Sequence, residues 1–160
     1  MSKNKAPVTQ AVRVLREHKV AYSEHLYDYE EKGGTKVSSR ELGVPEHAVI
    51  KTLVMQDENR RPLIVLMHGD KEVGVGLLAR QIGAKRVEPC EPAVAGKHSG
   101  YLVGGTSPFG TKAAMPVYME ASIADLPRIY INGGKRGFLV GLSPADAVAI
   151  LKPVAVTVAV

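Results

Sequence analysis

Tryptophan is absent from this 160-residue chain, and its aromatic residues are six tyrosines and two phenylalanines. A core built from such a sequence has to come mostly from Val, Leu, Ile and Ala. The single cysteine, Cys90, excludes an internal disulfide and fits a reducing compartment, so the cytoplasm is the expected location. No apolar run approaches the ~18 residues of a membrane span, so no membrane partner is expected. The start, Met1-Ser2-Lys3-Asn4-Lys5, has no apolar signal region. Blocks of like charge are also missing, which argues against a disordered basic arm. The five histidines, His18, His25, His47, His68 and His98, are scattered with no ligand-type spacing, so neither a metal nor a cofactor is expected.

The length fits one domain, residues 1–160, large enough to bury a continuous core. A formal charge of +5 permits a polyanionic partner without requiring one. The basic residues come in small groups, Arg60-Arg61, Lys85-Arg86 and Lys135-Arg136. Each is explained by a solvated turn; together they leave RNA open.

Apolar residues at helical spacing predict a first helix over 9–19, capped by Thr9 or Asn4. The tyrosine-rich stretch 21–29 reads as a strand. A short helix over 36–42 ends at Gly43, with Pro45 beyond. Val49 to Met55 and Leu63 to His68 form a hairpin through the polar loop 56–61. Helices are expected near 77–82 and 91–97, with an extended piece at 85–88 between them. Strands follow at 117–119 and 128–131, and Asn132-Gly133-Gly134-Lys135-Arg136-Gly137 reads as a hairpin connection into a strand over 138–142. Ser143 and Pro144 open a last helix, and the alternating Val/Ala tail 154–160 is a strand or a docked end. Hairpins mixed with helices imply an α/β domain around a mixed sheet.

Three stretches stand out chemically. In Gly100 to Gly110, glycines, hydroxyls and Pro108 make a stiff kinked loop whose amides suit an anion or oxyanion. A plain turn explains the same pattern. Lys51 interrupts an apolar strand, either as an outward-facing lysine or as a charge aimed at a phosphate or hydroxyl. Asn132-Gly133-Gly134 beside Lys135 and Arg136 is a tight turn or a second phosphate clamp. Cys90, between Pro89 and Glu91, is a poor nucleophile because a nearby anion raises a thiol pKa. No nucleophile-elbow pattern is present.

Together, Val49-Ile50-Lys51-Thr52-Leu53, the loop Gly100 to Gly110 and Ile129 to Gly137 resemble the YbaK/EbsC family in order and separation. So does the Leu-Gly-Val-Pro-Glu approach to the lysine. The resemblance covers about residues 8–152, and is to the free-standing Cys-tRNA(Pro) deacylase type, related to the editing insertion of bacterial prolyl-tRNA synthetase. It implies a compact α/β domain with a curved mixed sheet and surrounding helices, and hydrolysis of the ester that joins a mischarged amino acid to tRNA. Lys51, Gly104 and Gly105 take the catalytic positions. Tyr27, Thr106, Ser107, Pro108, Asn132, Gly133 and Gly134 take substrate-binding ones. Aminoacylated tRNA is the implied partner, with prolyl-tRNA synthetase as a candidate protein partner. In the cysteine-specific type the substrate's own thiol attacks its ester carbonyl, so the protein needs no nucleophile. The chain departs from that type at Asn132, where serine is usual, at Leu139, where aspartate is usual, and at Gly33-Gly34, where a shortened loop replaces an aromatic. Two other readings compete: a non-catalytic module that grips tRNA or a synthetase, and a deacylase for another amino acid, such as Ala-tRNA(Pro).

Overall fold

A computed structural model describes residues 6–160. Helix α1 (Gln10–Glu17) starts where the Thr9 hydroxyl accepts from the Val12 N–H at 3.1 Å, and it buries a stripe of Ala11, Val12 and Leu15. Asn4, the other candidate cap, lies outside the described residues. Strand β1 (Ser23–Leu26) is shorter than the tyrosine-rich stretch that contains it. Helix α2 (Gly34–Leu42) ends at Gly43, whose φ of 69° is the left-handed cap that glycine makes cheap. A 3₁₀ turn at Glu46–Ala48 leads into β2 (Val49–Asp57), which forms the expected hairpin with β3 (Pro62–His68).

Helix α3 (Val75–Ile82), the short β4 (Val87–Pro89) and helix α4 (Pro92–Ser99) follow. Strand β5 (Val117–Glu120) precedes β6 (Ile129–Lys135) and β7 (Phe138–Leu142). Ser143 caps α5 (Pro144–Leu151), and β8 (Val154–Val156) closes the chain's strands. Among the described residues, eight strands join one mixed sheet in the order β1-β7-β6-β2-β3-β5-β8, with β4 against β2. Strand β2 is the hub. One edge is covered by β3; the other is shared, with β6 beside Val49–Ile50 and β4 beside Met55–Asp57.

The two faces of this sheet bury different cores. Ile50, Val54, Ile64, Leu66, Ile129, Ile131, Phe138 and Val140 join α1 and Phe109 on one side. Met55, Leu63, Val65 and Met67 join Leu78, Val87 and Val156 on the other. Burial on both faces is why β3 reads Leu-Ile-Val-Leu-Met without polar alternation. One expectation needs correction. Asn132-Gly133-Gly134 is not a hairpin turn: β6 continues through Lys135, and the extra residues are absorbed by a bulge between Asn132 and Lys135.

Candidate active site

Residues that face one another across paired strands point to the same side of a sheet. His25 pairs with Leu139, Leu139 with Asn132, and Lys51 with Met67, while Ile50 pairs with Ile131 one step before the Asn132–Lys51 level. One row therefore runs His25, Leu139, Asn132, Lys51 across four strands spaced about 4.8 Å apart. The side opposite buried Ile131 and Ile50 carries it. Tyr27, one residue beyond β1, donates its N–H to the Gly137 carbonyl at 2.9 Å and continues the alternation of Ser23 and His25, so residues distant in sequence share one surface.

Lys51 is not the solvent-facing lysine of the simple alternation reading. Its side chain is 19 % exposed, its Nζ donates to the Lys71 carbonyl, and Glu72 Oε2 lies 3.4 Å away. The β3–α3 loop that supplies both acceptors is itself anchored. Buried His68 bonds the His47 carbonyl through Nδ1 and the Ser122 hydroxyl through Nε2, both at 2.7 Å. His47 Nδ1 meets Asp70 at 2.8 Å. Burial pushes the Asp70 carboxyl up, but the hydrogen bond and charge of His47 outweigh it and hold the group below its usual range.

This cluster corrects the reading of the histidines as scattered, since His47 and His68 stack with ring centroids 3.7 Å apart and planes 6° apart. It is the only group of three ligand-type side chains brought together among the described residues. Parallel stacked imidazoles cannot aim their in-plane lone pairs at one ion, and both His68 nitrogens are already engaged. The cluster fits a loop anchor, not a metal centre.

The glycine-rich loop packs against the β6–β7 end of the sheet. Asn132 Nδ2 donates to the Gly104 carbonyl at 3.1 Å, while Asn132 Oδ1 accepts from the Gly134 and Lys135 amides inside the bulge. Arg136 Nε donates to the Val103 carbonyl at 2.8 Å, and its guanidinium lies over the Tyr29 ring. The Thr9 hydroxyl, already the α1 cap, donates to the Gly133 carbonyl. Asn132 is thus a positioning group with its amide committed.

The glycines are demanded by close approach. A Cβ on Gly105 would sit 2.8 Å from Arg136 N, one on Gly133 2.4 Å from the Phe138 ring, and one on Gly104 2.4 Å from the Tyr29 hydroxyl. Gly134 has a φ of 100° and abuts Tyr101. The Gly105 amide, expected as an oxyanion donor, instead donates to the Leu102 carbonyl at 2.8 Å. Among the described residues, the amides of Leu102, Val103, Gly104, Thr106 and Ser107 make no hydrogen bond within the protein, and those of Gly104 and Thr106 flank the committed Gly105 amide. Ser107 is fully buried and accepts from the Phe109 amide at 3.2 Å, and Pro108 is buried beside it. Both shape the loop from beneath. The Thr106 hydroxyl turns back to the Leu102 carbonyl.

The hydroxyl and thiol groups offer no activated nucleophile. Burial, then Glu88, pushes the Cys90 thiol up. Burial raises the Tyr27 phenol too, followed by neighbouring Tyr29, with the Gly137 backbone pulling the other way. Buried Tyr101, pushed up to about 12, donates to the Phe109 carbonyl and braces the loop. Ser23 Oγ does meet His25 Nε2 at 2.7 Å, but no carboxylate orients the ring and Ser23 is tied to Arg128 on edge strand β1. That is an incomplete triad, two strands from Asn132. Neither Arg128, Tyr130, His25 nor Tyr29 is marked by a local motif. The signal available for the first two was the two-residue spacing of Arg128, Tyr130 and Asn132 at the start of β6.

An aminoacyl-tRNA editing domain profile matches residues 31–150, and the chain belongs to that family. EbsC of Enterococcus faecalis, provisionally named a Cys-tRNA(Pro)/Cys-tRNA(Cys) deacylase, is 32 % identical over 137 residues, covering 85 % of this chain and 84 % of its own. Two solved structures share the fold. A protein provisionally described as a trans-editing enzyme for prolyl-tRNA synthetase superposes with a TM-score of 0.84 at 18 % identity, covering 98 % of this chain and 99 % of the other. The hypothetical protein APE2540 gives 0.86 at 19 % identity, covering 95 % and 100 %. The activity is aminoacyl-tRNA deacylation, acting on aminoacylated tRNA. No described helix is long and apolar enough to cross a membrane.

Proposed function

We propose that residues 1–160 act as one cytoplasmic editing unit that clears Cys-tRNA(Pro) in trans, alongside prolyl-tRNA synthetase. The observation that carries the site assignment is the row that places Lys51, Asn132 and Leu139 side by side, with Tyr27 and the Gly104 loop at its margin. The name given to EbsC supports the cysteine substrate. Lys51 exchanges its contact with exposed Glu72 for a phosphate or ribose oxygen at the tRNA 3′ end. The Gly104 and Thr106 amides face the ester carbonyl as negative charge develops on its oxygen. Asn132, Gly133, Gly134, Ser107 and Pro108 hold that loop in place, and Tyr27 bounds the amino-acid side. The cysteine thiol attacks its own carbonyl: a C–S bond forms, the C–O bond to the ribose breaks, and the thiol proton passes to the departing ribose oxygen. Water then opens the cyclic thioester.

A second reading has its own observation. Leu139 is a buried apolar wall where the cysteine type has aspartate, and an apolar wall suits the methyl of Ala-tRNA(Pro) with water as nucleophile. A panel of Cys-, Ser- and Ala-charged tRNA(Pro) separates the two. Thiol attack requires the cysteinyl ester to be cleaved far faster than the seryl ester, because a hydroxyl is the poorer nucleophile. Equal rates for these two refute it, and preference for the alanyl ester moves the assignment to the second reading. Absence of cleavage on every ester would sink the deacylase site itself.

A further inference from the structure

Arg128 is a half-buried guanidinium with no carboxylate partner among the described residues. Arg40, Arg61 and Arg86 have one, and the other arginines that lack one, Arg13, Arg16, Arg60, Arg80 and Arg136, are all exposed. Arg128 crosses the face of the sheet over Gly141, where a Cβ would lie 2.9 Å from its Nη2 and 3.0 Å from its Nε. There Nη2 donates to the Ser23 hydroxyl and, at 3.0 Å, to the Gly141 carbonyl. All its partners are neutral, and Nε and Nη1 have no acceptor among the described residues. Its charge lies 5.9 Å from the centroid of the Tyr130 ring, and His25 meets the same ring edge-on at 5.4 Å. Keeping a cation partly desolvated without a counter-ion costs free energy that an arriving anion would recover.

Tyr130 precedes Asn132 by two residues on one face of β6, a step of about 6.6 Å, and Arg128, just before the strand, reaches the same face through Ser23 and Gly141. That spacing is of the order of one nucleotide. We infer that Arg128 and Tyr130 form a nucleotide subsite for single-stranded RNA upstream of the ester, Arg128 taking a phosphate and Tyr130 stacking a base. A planar fork beside an aromatic ring is the combination that binds single strands with little base preference. Arg136 over Tyr29 repeats the pairing at the other margin of the row. The inference rests on the row being where the ester sits, so the test has a part that does not depend on catalysis.

Binding of a short, uncharged single-stranded RNA to wild type, Arg128→Gln and Tyr130→Leu tests the subsite alone. Each substitution should weaken binding about tenfold, and Arg128→Gln should lower the slope of log K against log salt by about 0.7. Deacylation of mischarged tRNA should show the same rise in KM with kcat kept, while an aminoacyl ester of adenosine, which lacks upstream nucleotides, should be cleaved by all three alike. Ser23→Ala cuts the tie between Arg128 and β1 but leaves the charge, and should not reproduce the binding loss. Arg128→Lys keeps the charge without the fork and should bind between the two. Unchanged RNA binding in Arg128→Gln overturns the inference even if deacylation stands. So does a loss that Ser23→Ala reproduces, or an equal KM rise on the adenosine ester.

Discussion

The two ends of the site face are built on opposite plans. Around Gly104 and the β6 bulge, the side chains of Asn132, Thr9, Thr106 and Ser107 are all spent internally. Asn132 holds Gly104 and the bulge amides, Thr9 holds Gly133, and the Gly105 amide closes a turn. Around Arg128 and Tyr130, the guanidinium keeps two unbonded nitrogen positions and an aromatic face. One end is rigid and committed; the other is prepared for a partner it has not met. A catalytic loop gains from the first plan, because fixed dipoles need no reorganisation during reaction. A surface that takes a single strand by its backbone gains from the second, since stacking and phosphate contacts read no sequence.

Lys51 belongs to neither plan, and its removal should have the largest effect. Lys51→Ala is expected to cut turnover about 10²- to 10³-fold, the usual loss for one electrostatic contact in a transition state. Loss of the charge-assisted hydrogen bond to the Lys71 carbonyl should lower stability by about 1.5–3 kcal/mol, too little to unfold the chain. Wild-type turnover in this variant would leave Lys51 as a tie to the β3–α3 loop and nothing more. Glu72→Gln sharpens the point: freeing the ammonium from its exposed counter-ion should lower KM for tRNA.

At the committed end, substitutions should register first as stability. Gly133→Ala and Gly105→Ala each force a Cβ into atoms 2.4 and 2.8 Å away, Phe138 in the first case and the Arg136 backbone in the second. Overpacking of this kind costs about 1–3 kcal/mol, or roughly 2–4 °C of Tm per kcal/mol at this chain length. Turnover per folded molecule should fall less for Gly133→Ala, whose contact is a ring, than for Gly105→Ala, whose contact is the loop's own support. If Gly105→Ala lost turnover at an unchanged Tm, an oxyanion role for its amide would return.

The same contrast explains what the sequence made legible. Backbone constraints leave local marks: Gly43 and Gly83 at helix ends, the Ser143-Pro144 start of α5, and the unbroken apolar run of a strand buried on both faces. The Gly104 loop is conspicuous for this reason: Gly104 combines a φ of 90° with close packing on Tyr29, although the neighbouring Gly105 amide is taken. The bulge was read as a turn because Asn-Gly-Gly satisfies both geometries locally, and only pairing with Leu139 and Phe138 decides between them. The His47–His68 stack and the Arg128–Tyr130 pair leave no such mark. The stack depends on where the Glu46–Ala48 turn meets the end of β3, and the meeting of the Arg128–Tyr130 pair with Ser23 and His25 depends on where the sheet order puts β1.

The smallest expected effect is a pH dependence confined to the open end. Burial, then the charge of Arg128, lowers the His25 pKa below the ordinary 6.5. The folded chain therefore binds fewer protons at this site than the unfolded chain, and stability rises with pH across the interval. The contribution is fully present above pH ~6.5 and is lost as pH falls from there through the folded-state value. Groups facing His25 are Arg128, the Ser23 hydroxyl at 2.7 Å and the Tyr130 ring; no carboxylate among the described residues forms an ion pair with it to reverse the sign. His25→Asn should flatten this part of the stability–pH curve. Arg128→Gln removes the lesser of the two causes, so NMR titration should show the His25 midpoint rising while staying below 6.5. A midpoint that does not move would mean that the guanidinium is screened at His25 by solvent, and would weaken the picture of a partly desolvated cation waiting for an anion.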